Sequence, residues 1–304
     1  MELQKDGIYP VRALKDKILQ WFSKISDSAT IKHELQYNGL NKGFKYKVTN
    51  GIIIDIAEIN KTDQNQIIIY ENFCQFLWSF SYAVIVIFDE AFIRPRIEQN
   101  FNFSNSKLLE DATKSIETAF ELFTNPKPDK FFILPNPESP KFRNDKQVQV
   151  TEAVYCIGVS FILFHEFGHH FLGHLGYKPD TNQQQKKEEE DADDYAFEIL
   201  SKHFNEEYCE AIKTGIIISL IALVFEDDTL SGGDAHPDPH QRLKRIFEKM
   251  GLDENNDLWA LASVAFKLWA FKYNKPLEFP ESVESYKELF DRAFIELNYL
   301  KNPF

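Results

Sequence analysis

Hydrophobic and polar positions divide the chain into two regimes. Up to about residue 150 the period changes from one segment to the next. Residues 10–25 repeat at helical spacing. Gly43–Val48, Gly51–Ile59 and Gln66–Tyr70 are instead rich in β-branched or aromatic residues, and turn formers at Thr49-Asn50-Gly51 and at residues 60–65 separate them. These three segments predict a small antiparallel sheet. An apolar helix is expected over about residues 71–92 and another over 106–124. Residues 125–147 then carry five prolines and read as extended loop.

From Thr151 onward the pattern is helical almost throughout, with helices expected at about 151–175, 184–204, 206–226, 239–250, 255–274 and 281–298. The polar stretch Gly176–Gln185 links the first two, so they can lie antiparallel. The expected fold class is α+β and predominantly helical. The proline-rich loop divides it into an α/β region over 1–148, suited to substrate recognition or regulation, and a helical core over 149–304.

Three apolar runs, Leu77–Phe88, Ala153–Phe164 and Gly215–Phe225, each cover about a dozen residues, below the ~18–20 that span a bilayer. They read as buried helices, and no transmembrane segment is expected. The opening residues, MELQKDGIYPVRALKDKILQWF, lack the apolar core and cleavage site of a signal peptide. Cysteine usage agrees with a cytoplasmic expectation: Cys74, Cys156 and Cys209 are an odd count without a C-x-x-C pair. A net charge of −13 repels phosphate backbones and argues against a nucleic-acid partner.

The chemistry concentrates in His165-Glu166-Phe167-Gly168-His169, an H-E-x-x-H. On a helix, residues i and i+4 share a face, so both imidazoles can reach one ion. Zinc takes neutral imidazole well and leaves a position for water in catalytic sites. Glu166, beside the pair, is placed to take a proton from that water. The bland alternative is a chance match on a buried helix whose histidines bond backbone carbonyls. Carrying two histidines and a glutamate into a core behind an apolar run is costly without compensation, and this favours the metal.

A third histidine ligand would need glycine three residues after His169 and histidine three beyond that, where this chain has Leu172 and Leu175. If the helix continues to 175, His174 lies about half a turn from His165 and faces elsewhere, and His170 also points away. The next helix supplies acids in KKEEEDADDYAFEIL. Its apolar face runs through Ala192, Tyr195, Ala196, Ile199 and Leu200. Glu190, Asp191 and Asp194 fall on the opposite, solvated side, whereas Glu189 and Asp193 border the apolar face one turn apart. Glu189 is the expected ligand, with Glu188 and Glu190 open as substitutes. Asp193 is expected to hydrogen-bond a ligand histidine and fix its tautomer.

H-E-F-G-H followed by Glu189-Glu190-Asp191-Ala192-Asp193 resembles the gluzincin metallopeptidases of the HtpX type. That resemblance implies a zincin-like helical catalytic core. His236-Pro237, with Arg242 six residues after the histidine, is similar to the downstream H-P-x-x-x-x-R segment of those enzymes. It implies that His236 helps stabilise an oxyanion and that Arg242 ties its segment to the site. Asp238 and Pro239 read as N-cap and first position of the helix that follows. HtpX-type enzymes span membranes. In chain length and motif position this chain is similar instead to the Lit-type peptidases of bacterial phage exclusion. That likeness implies cleavage of translation elongation factor Tu when a phage peptide is bound to it, hence a role in antiviral defence. It rests on about residues 150–250.

The expected chemistry is zinc-dependent peptide hydrolysis with Glu166 as base and later proton donor to the leaving amine. Two other readings remain open: a zinc peptidase acting on a DNA-bound repressor, as in ImmA-like regulators, and a non-catalytic binding protein whose zinc staples two helices.

Overall fold

The computed structural model describes residues 7–26, 44–59, 66–98, 106–175, 179, 181–205, 207–280 and 282–301. The turn expected at residues 60–65 lies outside them, as do 176–178 and 180 of the polar link.

The fold is predominantly helical α+β. A 3-10 turn at Pro10–Leu14 leads into α1 (Lys15–Ile25), and three short strands follow: β1 (Phe44–Lys47), β2 (Ala57–Ile59) and β3 (Ile67–Tyr70). Then come α2 (Glu71–Phe88), α3 (Lys107–Glu121), α4 (Lys146–Phe171), α5 (Asn182–Ser201) and α6 (Cys209–Val224). Helices α7 (Pro239–Met250), α8 (Asp257–Lys272) and α9 (Tyr286–Lys301) complete the order. Side chains set several starts: Ser106, Asp145 and Thr181 each accept a backbone N–H from the first turn of α3, α4 and α5.

The sheet corrects one expectation. It is mixed, in the order β1-β3-β2: β2 pairs antiparallel with β3, but β1 pairs parallel with it, Phe44 opposite Ile67. Residue alternation reports which face is buried but not strand direction. Here the chain between β1 and β2 is long enough to carry β2 to the far side of β3, which leaves β1 and β3 pointing the same way. Central β3 reads Ile67-Ile68-Ile69-Tyr70 and is buried along its whole length.

Helix α4 is the axis of the molecule. It packs against α1, α2, α5 and α6, which explains why Val154–Phe164 is apolar on every side. From α1, Phe22 stacks on Phe164 with ring centroids 4.5 Å apart. One buried apolar cluster runs from Tyr9 to Leu297, with members on both sides of residue 148.

Apolar length exceeds what the three sequence runs suggested. Glu71–Ile97 and Lys146–Phe171 are each long and apolar enough to cross a membrane, but 67% and 78% of their most apolar windows are buried inside the protein. The first is long because α2 continues through a π-helical turn at Asp89–Ile93 into Arg94–Ile97.

Candidate metal centre

The last turns of α4 carry the H-E-x-x-H. His165 and His169 turn their Nε2 atoms toward each other, 3.2 Å apart. Glu189 reaches both from α5: its Oε2 lies 3.3 Å from His165 Nε2 and its Oε1 3.4 Å from His169 Nε2. One donor atom from each of the three falls within 4.8 Å of the others.

The spacing itself is chemically informative. Two imidazole nitrogens 3.2 Å apart can be bridged by one proton or by one shared cation. Tetrahedral zinc with bonds of about 2.0–2.1 Å holds its ligand atoms about 3.3–3.4 Å apart. The two ring nitrogens are close to that spacing, and each has one Glu189 oxygen at that distance, a different oxygen for each ring. The donor set therefore fits zinc. Glu188 and Glu190 do not share the position. Glu188 Oε1 accepts from Gln184 at 3.3 Å, and Glu190 lies beside Lys187.

A second layer supports the first. Asp193, wholly buried one turn beyond Glu189, accepts a hydrogen bond from His165 Nδ1 at 2.9 Å. Arg242 from α7 donates to both oxygens of Asp193, Nε to Oδ2 at 2.8 Å and Nη2 to Oδ1 at 2.7 Å. Burial opposes the Asp193 charge, but Arg242 and His165 outweigh it and hold the carboxyl below its usual range. Burial also opposes charge on His165, yet its bonds to Asp193 and Glu189 carry it the other way, up to about 10.

Glu166 is half-buried beside the two rings and lines the cleft. Burial raises its carboxyl above the ordinary value, although the charges of His165 and His169 pull it back. Raised basicity of this kind suits a general base working near neutrality.

His236 lies largely exposed on the loop before α7, with Nδ1 3.0 Å from Glu189 Oε2. Its loop is pinned by Asp238. Asp238 is the N-cap residue of α7, as the sequence predicts, but its carboxylate accepts from Gly232 N at 3.1 Å and pairs with Lys301 rather than bonding the first turn. Pro239 does occupy the first turn of α7.

Two further expectations change. Asp194 was assigned to a solvated face, but it pairs with Arg245 and with Lys249, 2.8 Å away, and so ties α5 to α7. An isolated helical wheel does not show a basic partner helix. His174 does not face away, because α4 ends at Phe171 rather than continuing to 175. Its Nδ1 lies 3.1 Å from Nδ1 of His169.

These groups open on a cleft of about 830 Å³. One wall is formed by residues 53–59, including edge strand β2, and the other by the His236 loop and the end of α6. Glu226, which sequence reasoning did not single out, places another carboxylate in this cleft, within electrostatic range of Arg242 and His236. No spacing rule would have linked it to the motif, since it sits in a turn more than fifty residues downstream.

The family model described as Peptidase U49 covers residues 67–262, from the start of β3 into α8; it includes His165, Glu166, His169, Glu189, Asp193, His236 and Arg242 but not the cleft wall at residues 53–59. No curated protein and no solved structure matches the chain.

Proposed function

The chain belongs to the peptidase U49 family, and from that premise we propose that it is a zinc-dependent endopeptidase. The observation that carries the proposal is the convergence of His165 Nε2, His169 Nε2 and the Glu189 carboxylate, with one donor atom of each within 4.8 Å of the others, beside Glu166. Zinc held there would supply Lewis acidity and a water of lowered pKa.

The chain's own groups do the rest. Glu166 takes the proton of the attacking water and passes it to the departing amine nitrogen. Asp193, held by Arg242, keeps the His165 Nδ1 protonated and Nε2 free to bind. His236, when protonated, can donate from Nε2 to a carbonyl oxygen that gains charge. β2 is an edge strand of its sheet and lines the cleft, which suits a substrate in extended conformation.

The substrate reading is elongation factor Tu with a bound phage peptide, in keeping with the Lit-type likeness of the motifs. Incubating the protein with elongation factor Tu, with and without the activating peptide, tests it. Peptide-dependent cleavage that o-phenanthroline stops and Glu166→Gln abolishes is the expected result. Cleavage by the Gln variant at the wild-type rate would remove Glu166 as base. Intact elongation factor alongside cleavage of a general unfolded substrate would keep the peptidase and discard that target.

A further inference from the structure

The two histidines of the motif have different outer partners. His165 has a carboxylate, Asp193, whereas the outward nitrogen of His169 meets another imidazole, that of His174. We propose that His174 is the positioning residue that holds His169 as a metal ligand. This rests on the zinc reading above.

The geometry begins with how α4 ends. Gly173 adopts φ +77°, the left-handed conformation that side chains disfavour. The N–H of His174 then bonds the carbonyl of His169 at 2.9 Å, and the N–H of Gly173 bonds that of His170 at 3.2 Å. Together these form a Schellman turn, which stops the helix and reverses the chain. In a continuing helix His174 would be carried around the cylinder, away from His169. The reversal brings it back over the same turn, with the two ring centroids 5.2 Å apart and the planes inclined at 67°.

Tautomers follow from that contact. For Nε2 of His169 to bind metal through its lone pair, its proton must be on Nδ1. That N–H has an acceptor in the lone pair of His174 Nδ1, which puts the His174 proton on Nε2. The hydrogen bond both selects the ligand tautomer and fixes the ring about its χ angles, as outer partners of metal-binding histidines generally do. A neutral acceptor makes His169 a less electron-rich ligand than His165. The cage is thus polarised, with its anionic support on the α5 side.

The test is zinc affinity of the full-length protein, measured by competition with a chromophoric chelator. Three variants are compared: His174→Leu, His174→Asn and Gly173→Ala. The leucine removes the acceptor and should weaken zinc binding by about tenfold or more. The Oδ1 of asparagine can stand where Nδ1 stood, so this variant should remain within about threefold of wild type. Gly173→Ala strains the turn that delivers His174 and should shift affinity in the same direction as leucine. Cobalt(II) substitution gives an independent readout, since the visible bands should change in the leucine variant and be restored in the asparagine one. Metal-free melting temperatures should be similar for the Leu and Asn variants, which separates positioning from bulk stability. Wild-type affinity in His174→Leu, or equal loss in Leu and Asn, would overturn the assignment while leaving the zinc site intact. A wild-type protein that takes up no zinc would overturn both.

Discussion

A β-carbon added at Gly168 would lie 3.2 Å from Ala192 Cα and 3.3 Å from Ala192 O. The two residues mark a close approach of α4 to α5, one inside H-E-F-G-H and the other inside E-x-x-A-D. Both are small for the same reason. Unless the helices approach this closely, Glu189 and Asp193 cannot reach His165 and His169. The small residues of both motifs therefore set a distance, while the charged ones carry the chemistry.

Gly168→Ala is accordingly expected to fold but to push α5 outward by a few tenths of an ångström, because backbone rather than a flexible side-chain tip meets the new methyl. Overpacking of this kind costs about 1–3 kcal/mol, and the displaced Glu189 should lower zinc affinity by about tenfold or more, a range typical of disturbed metal surroundings. Melting temperature and chelator competition measure the two effects separately. Unchanged zinc affinity would mean that the contact is only packing.

The Asp193–Arg242 pair makes a different prediction. Asp193 is wholly buried, so Arg242→Ala strands its charge and should cost about 3–5 kcal/mol. Asp193→Asn keeps the shape but replaces the anion with an amide, and should lower zinc affinity by about 10–100-fold. Denaturant titration of the first and metal titration of the second provide the measurements. A mild effect of Arg242→Ala would show that Arg245, 3.8 Å from Asp193, can take over.

Stability should fall with rising pH through Glu71. This carboxylate, sealed at the start of α2, accepts the Tyr9 N–H at 3.3 Å. Burial raises its pKa to about 7, although backbone N–H groups of Tyr9, Ile8 and Thr49 and the charge of Arg12 pull it down. A carboxyl raised in the folded state binds its proton more tightly than in the unfolded chain. Its contribution is therefore complete below about pH 4.3 and is lost as pH rises through about 7. Between pH 5 and pH 8 wild type should lose about 2–3 kcal/mol relative to Glu71→Gln. Urea midpoints of both proteins at the two pH values test this, and parallel pH profiles would contradict it.

Much of the candidate site was legible because helical geometry is local. An i, i+4 pair of histidines must share a face, and the apolar stripe of α5 favours Glu189 and Asp193 by spacing, while leaving Glu188 and Glu190 open as ligands. The limits were of two kinds. The β1 direction depends on where an intervening strand pairs, which alternation does not encode. Extending the helix past Gly173 turns His174 the wrong way, although a glycine just beyond the last helical turn is itself a terminator signal. Glu226 and the salt bridges of Asp194 are tertiary facts, set by which helices become neighbours.

Elemental analysis of the purified protein, with X-ray absorption at the zinc edge, tests the central claim most directly. Wild type should carry about one zinc per chain in a nitrogen and oxygen shell without sulfur, and His165→Ala and Glu189→Ala should be nearly metal-free under the same purification. Wild-type protein that holds no zinc after supplementation, or a His165→Ala variant that retains a full equivalent, would contradict it.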